Sequence, residues 1–131
     1  MKEDAVLKRR LKVLVVDDDP ETAHGLAELV GIKGHDARVA YDGRTALRNV
    51  RDDDFHLVFL DIGLPDIDGY EVARRLTLLG QRNLSIVALT GYGSDGDSRR
   101  SNGAGLDGHI VKPCGSEQLE QILIRTLARP K

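Results

Sequence analysis

Apolar residues along the chain fall into two alternating patterns. Short continuous runs occupy Lys12 to Val16, Phe55 to Leu60 and Leu84 to Leu89, with weaker ones at Asp36 to Tyr41 and His109 to Val111. Runs this short, rich in Val, Ile, Leu and Phe, predict strands covered on both faces, as in a parallel sheet. Between them the apolar positions recur at helical spacing. Asp19 followed by Pro20 predicts a helix start, with Ala23, Leu26, Ala27 and Val30 on one face and Gly34 as a left-handed stop. Asp42 predicts the cap of a short helix burying Ala46, Leu47 and Val50, and Asp68 that of a third burying Val72, Leu76 and Leu79. Ser116 predicts the cap of the last, which buries Leu119, Ile122, Leu123 and Leu127. Strand and helix alternating five times, joined by right-handed crossovers, predict an α/β fold with helices on both faces of a parallel sheet.

One interval departs from this rhythm. Gly93 to Gly103 contains no apolar side chain, although the alternation demands a helix there. With no inner face to anchor it and Gly96 inside it, this helix is expected to be short, frayed or mobile.

Composition narrows the class. A chain of 131 residues is one domain, large enough to bury about two-thirds of its unfolded surface. The 19 Lys and Arg against 21 Asp and Glu give a formal charge of −2, so no overall attraction to nucleic acid or anionic lipid is expected. The lone Cys114 excludes an internal disulfide or a multi-cysteine zinc site. No apolar run approaches the ~18 residues of a membrane span, and no apolar segment follows the charged start. The expectation is a soluble cytoplasmic domain over residues 11–128, preceded by a charged arm at 1–10.

In an open parallel sheet, ligands bind beyond the carboxyl ends of the strands, so the residues that follow each strand test for a site. The first strand ends in Asp17, Asp18 and Asp19, the third in Asp61, the fourth in Thr90, and the fifth in Lys112 and Pro113. Each has a local explanation when taken alone; Asp19, for one, reads as a helix cap. Their convergence on one edge does not. Three neighbouring carboxylates repel unless a cation relieves them, and oxygen-only donors match Mg²⁺ rather than zinc or copper. A hydroxyl and an ammonium opposite such a cation are what a phosphoryl group requires, and one carboxylate can serve as its acceptor.

The segments V-L-V-V-D-D-D-P at 13–20, V-F-L-D-I-G-L-P-D-I-D-G at 58–69, A-L-T-G-Y-G at 88–93 and V-K-P at 111–113 resemble the receiver domain of two-component response regulators. The resemblance spans about residues 11–128. It implies a flavodoxin-like (βα)5 fold with a doubly wound five-stranded parallel sheet in the order 2-1-3-4-5. It further implies that Asp61 accepts a phosphoryl group from a histidine kinase or histidine phosphotransfer protein, in two-component phosphorelay signalling. Asp17, Asp18, Asp61 and the backbone carbonyl of Gly63 would serve Mg²⁺ or Mn²⁺, with Thr90 and Lys112 binding the phosphoryl oxygens. A cis Lys112-Pro113 bond is expected, and Gly69 is expected to supply a backbone angle closed to other residues. Thr90 and His109 would form the switch, acting on the face made by the fourth helix, fifth strand and fifth helix to reach a downstream target. No direct nucleic acid or membrane partner is implied.

The family often carries Phe or Tyr where His109 stands, which puts the aromatic relay in question. A histidine there resembles receivers attached to hybrid sensor kinases; a single-domain regulator is the other origin. Gly63 opens the water path to the acyl phosphate, and Tyr92 would close it. Tyr41, His24, His35 and His56 read as packing or surface residues, Cys114 as a passive thiol, and Arg99 and Arg100 as a solvated face. Three rivals fare worse. A haloacid-dehalogenase-type phosphatase needs Thr where Glu21 stands, and a flavodoxin-like cofactor binder needs a phosphate loop where the three aspartates would repel one. A degenerate receiver is disfavoured because every site residue is present.

Overall fold

The computed structural model describes residues 9–81, 83–91 and 105–129. Five strands, β1 (Lys12–Val16), β2 (Asp36–Ala40), β3 (Leu57–Asp61), β4 (Ser85–Thr90) and β5 (Gly108–Val111), form one parallel sheet in the order β2-β1-β3-β4-β5. Four helices accompany them among the described residues: α1 (Pro20–Ile32), α2 (Gly43–Asp52), α3 (Gly69–Leu78) and α4 (Ser116–Ala128). The expected helix between β4 and β5 lies outside the described residues, as do Tyr92, Arg99, Arg100 and the first eight residues of the arm.

The sheet separates two apolar layers. On one face Leu14, Val16, Val58 and Leu60 pack under α2 and α3; on the other Val13, Val15, Leu57 and Phe59 pack under α1 and α4. Alternate residues of β1 and β3 thus serve opposite layers, and β3 is buried from end to end. This explains why those strands read as unbroken apolar runs.

Local chemistry sets most boundaries. Asp42 accepts the Thr45 amide at 2.7 Å and Asp68 the Tyr70 amide at 2.8 Å, capping α2 and α3 as expected. Gly34 turns the chain after α1 at φ +94°, as its position predicted. Asp19 sits at the α1 cap position with Pro20 next, but its carboxylate takes the Thr22 hydroxyl instead of a backbone amide. At α4 the cap is Gly115, not Ser116, because Gln118 Oε1 reaches back to the Gly115 amide at 3.1 Å. Leu79 departs from the expected inner face: α3 ends at Leu78, so Leu79 lies one step past the last turn and is 42% exposed. Arg9, assigned to the solvated arm, donates to the Leu127 carbonyl at 2.9 Å and fastens the arm's end to α4. No described helix is long and apolar enough to cross a membrane.

Candidate functional site

β1, β3 and β5 end together, and their ends carry the charged groups. Asp17 is fully buried, Asp61 is 6% exposed and Asp18 is exposed, and one carboxylate oxygen from each lies within 4.8 Å of the others. Lys112 Nζ enters from the end of β5, 2.8 Å from Asp17 Oδ2 and 3.2 Å from Asp61 Oδ2. Burial of the lysine stem opposes its charge, but the Asp17 and Asp61 carboxylates outweigh that and hold the ammonium above its ordinary pKa. It therefore stays protonated throughout the neutral range.

The loops hold these side chains in place. Asp17 Oδ1 accepts the Asp19 amide at 3.0 Å, and Asp61 Oδ1 accepts the Gly63 amide at 3.0 Å. The Lys112-Pro113 bond is cis, as expected. The Lys112 amide donates to the Thr90 carbonyl at 2.8 Å, and the Ile62 amide to the Leu89 carbonyl at 3.1 Å, which joins the ends of β3, β4 and β5 rung by rung. Thr90 is half-buried at the last position of β4. His109 is exposed on the edge strand, opposite Ala88 in register, where it lines a cleft of about 500 Å³ against α4.

Gly69 has a role other than the one expected of it. Positive φ occurs at Gly34, Gly80 and Gly105 among the described residues, not at Gly69. What Gly69 supplies is space. A Cβ there would lie 2.5 Å from Ile62 Cα and 2.8 Å from the Asp61 carbonyl oxygen, so α3 begins in direct contact with the backbone that bears Asp61. Asp66 fastens the same loop to α2 by accepting the Gly43 and Arg44 amides at 2.9 and 3.1 Å.

The donor set fits a hard divalent cation. All three candidate ligands are carboxylates, and the fully buried Asp17 Oδ2 meets the Lys112 ammonium at 2.8 Å, which leaves one of its lone pairs unspent. Cys114 is half-buried, and burial pushes its thiol pKa up, consistent with the passive reading.

Two histidines read from the sequence as packing or surface residues have a specific role at the opposite end of the sheet. His35 Nδ1 accepts the Leu11 amide at 2.9 Å and His56 Nδ1 the Lys12 amide at 2.8 Å, so two successive amides at the start of β1 are met by imidazoles from either side. The partners lie 24 and 44 residues away, and only the strand register brings them together.

The response regulator receiver domain model matches residues 13–124. A gliding motility regulatory protein of Myxococcus xanthus is 34% identical over 119 residues, 89% of this chain and 15% of that protein. The response regulator MprA of Mycolicibacterium vanbaalenii is 35% identical over 109 residues, 83% of this chain and 47% of that protein. The chain thus spans about half or less of the length of these curated relatives. A CheY-like response regulator receiver domain protein from Methanospirillum hungatei superposes with a TM-score of 0.85 at 27% identity, covering 92% of this chain and 95% of that one.

Proposed function

Because the chain belongs to the response regulator receiver domain family, whose place is in two-component signalling, we propose that Asp61 is its phosphoacceptor and Lys112 the counter-charge that makes transfer possible. The observation that carries this reading is the Lys112 ammonium set between the Asp17 and Asp61 carboxylates, with Asp18 within reach. We assign the functional unit to residues 11–128. Its donor is a phosphohistidine on a histidine kinase or histidine phosphotransfer protein.

The Asp61 carboxylate attacks phosphorus, an O–P bond forms, the N–P bond breaks, and the imidazole nitrogen leaves with the electron pair. The Gly63 amide on Asp61 Oδ1 fixes the carboxylate plane, and Lys112 balances the charge that accumulates on the phosphoryl oxygens. The Thr90 hydroxyl hydrogen-bonds one of those oxygens once they are in place. Asp17, Asp18, Asp61 and the Gly63 carbonyl would hold Mg²⁺ or Mn²⁺, which when bound neutralises phosphoryl charge. The response then passes through Thr90 toward β5 and α4, with His109 on that path. These roles describe a signalling domain that promotes its own phosphorylation and dephosphorylation.

Incubation with acetyl phosphate and Mg²⁺, followed by intact-mass measurement, tests the assignment. The parent protein should gain one phosphoryl group, and Asp61→Asn should gain none while keeping its fold by circular dichroism. Labelling of folded Asp61→Asn at the parent rate would place the acceptor elsewhere.

A further inference from the structure

The two layers of helices differ in charge. On α2, Arg44, Arg48 and Arg51 follow one another at spacings of four and three, so all three project from one side of the helix. Arg75 of α3 faces them across a groove of about 440 Å³, whose apolar floor is Leu47, Ile67 and Leu79. Leu78, next to Leu79 in the chain, is 70% exposed. In a chain whose formal charge is −2, this is a local concentration of positive charge around exposed hydrocarbon.

The carboxylates at hand satisfy it only in part. Arg51 pairs with Asp52 at 2.9 Å, and Glu71 is shared between Arg74 at 2.6 Å and Arg75 at 2.8 Å. Arg44 and Arg48 make no direct ion pair among the described residues, although the Asp52 charge acts on Arg48 from a turn away. Arginines three and four apart repel along a helix, a cost the isolated fold carries beside its few ion pairs. Two further features point to the chemistry of an occupant. Among the described residues every cation lining the groove is an arginine, whose planar fork matches carboxylates or phosphates in pairs. The floor between them is aliphatic, with no aromatic ring on which a base would stack.

We propose that the arginine-rimmed groove between α2 and α3 is a docking surface for an acidic amphipathic segment of a partner protein. Its apolar side chains would cover Leu47, Ile67 and Leu79, and its carboxylates would meet Arg44 and Arg48. Charge complementarity selects this occupant over a basic or neutral one. The surface lies on the sheet face opposite α1 and α4, so it is distinct from the β5 and α4 face through which Thr90 is proposed to act.

The probe is a short synthetic helix with glutamates on one side and leucines on the other, titrated into ¹⁵N-labelled protein. A scrambled peptide of the same composition and a double-stranded oligonucleotide serve as comparisons. Amide shifts should concentrate at residues 44–51 and 75–79, and the patterned helix should bind more tightly than its scramble. The double variant Arg44→Glu, Arg48→Glu should weaken binding at least about tenfold while keeping its fold by circular dichroism. The milder Arg48→Gln should weaken it less, and rising salt should weaken it progressively. Equal binding of patterned and scrambled peptides would overturn the proposal. So would tighter binding of the oligonucleotide at the same amides, shifts in this groove that grow with protein concentration alone, or unchanged affinity in the charge-reversed variant.

Discussion

Replacing Gly69 by alanine probes the contact that fixes the loop after Asp61. The new methyl would stand 2.5 Å from Ile62 Cα, 2.8 Å from the Asp61 carbonyl oxygen and 2.9 Å from that of Ile62, all backbone atoms that no rotamer change can move. Carbon contacts settle near ~3.5–4.0 Å, so α3 and the loop must part by about 1 Å. That separation strains the Gly69 amide's bond to the Ile62 carbonyl, now 3.1 Å, whose net worth is about 0.5–1.5 kcal/mol. Overpacking of this kind costs about 1–3 kcal/mol. The helix-propensity gain of alanine over glycine, at most ~1 kcal/mol, offsets part of it. The expected net loss is about 1–3 kcal/mol in urea unfolding. The same displacement carries Asp61 away from Lys112, and a misplacement near 1 Å can slow a reaction by about a hundredfold. Acetyl phosphate labelling of the folded variant should therefore slow by one to two orders of magnitude, on the order of that estimate. Gly25 supplies the control: it lies inside α1 with nothing within 4 Å of the Cβ position, so Gly25→Ala should stabilise by up to ~1 kcal/mol. Equal stability and equal labelling rates in parent and Gly69→Ala would refute the argument.

Other expectations follow from the two ends of the sheet. If the three carboxylates hold a cation as proposed, millimolar Mg²⁺ should raise the thermal midpoint by linkage. The Asp18→Ala variant should lose that response, and an unchanged parent midpoint beside a raised one in Asp18→Ala would contradict the ligand assignment. Lys112→Ala removes the partner of the buried Asp17, so it should both destabilise the fold and disable the response to phosphorylation, read as loss of beryllofluoride-induced amide shifts. Burial, with help from the nearby Arg10 and His56 charges and against Asp36, lowers the His35 pKa below 6.5. The unfolded chain therefore takes the proton first, and stability should be full above that value and fall as pH drops below it. His35→Asn, whose amide oxygen can take over the Leu11 amide, should flatten that fall between pH about 7 and 5; an identical decline would assign it to another group.

Much of the fold was legible because its signals are local. The Asp42 and Asp68 caps, the Gly34 turn, the three apolar central strands and the order of the elements each depend on a few neighbouring residues. The convergence of Asp17, Asp18, Asp61 and Lys112 was legible because topology alone determines which strand ends meet. What escaped depends on contacts across the chain. Gly69 was read for its torsion angle, whereas its neighbour is a backbone seven positions earlier. Leu79 kept the helical period but fell beyond the end of its helix, and it now floors the arginine groove. His35 and His56 carry no signal at all without the register of β1 against β2 and β3. The one missed feature with a sequence signature is the row Arg44, Arg48, Arg51, whose helical spacing places like charges side by side.

The hydrogen bond from the Lys112 amide to the Thr90 carbonyl has a consequence for the form of the signal. With its carbonyl held by the Lys112 amide and its neighbour Leu89 paired on both sides, the Thr90 backbone has little freedom to translate toward a new phosphoryl group. Its remaining freedom is rotation about χ1, and a β-branched side chain has only a few staggered wells there. On the role proposed for Thr90, a message carried by that torsion would be digital: the hydroxyl would point toward the phosphoryl oxygens or away from them, and the surface beyond β5 would read a count of molecules in each well rather than a graded displacement.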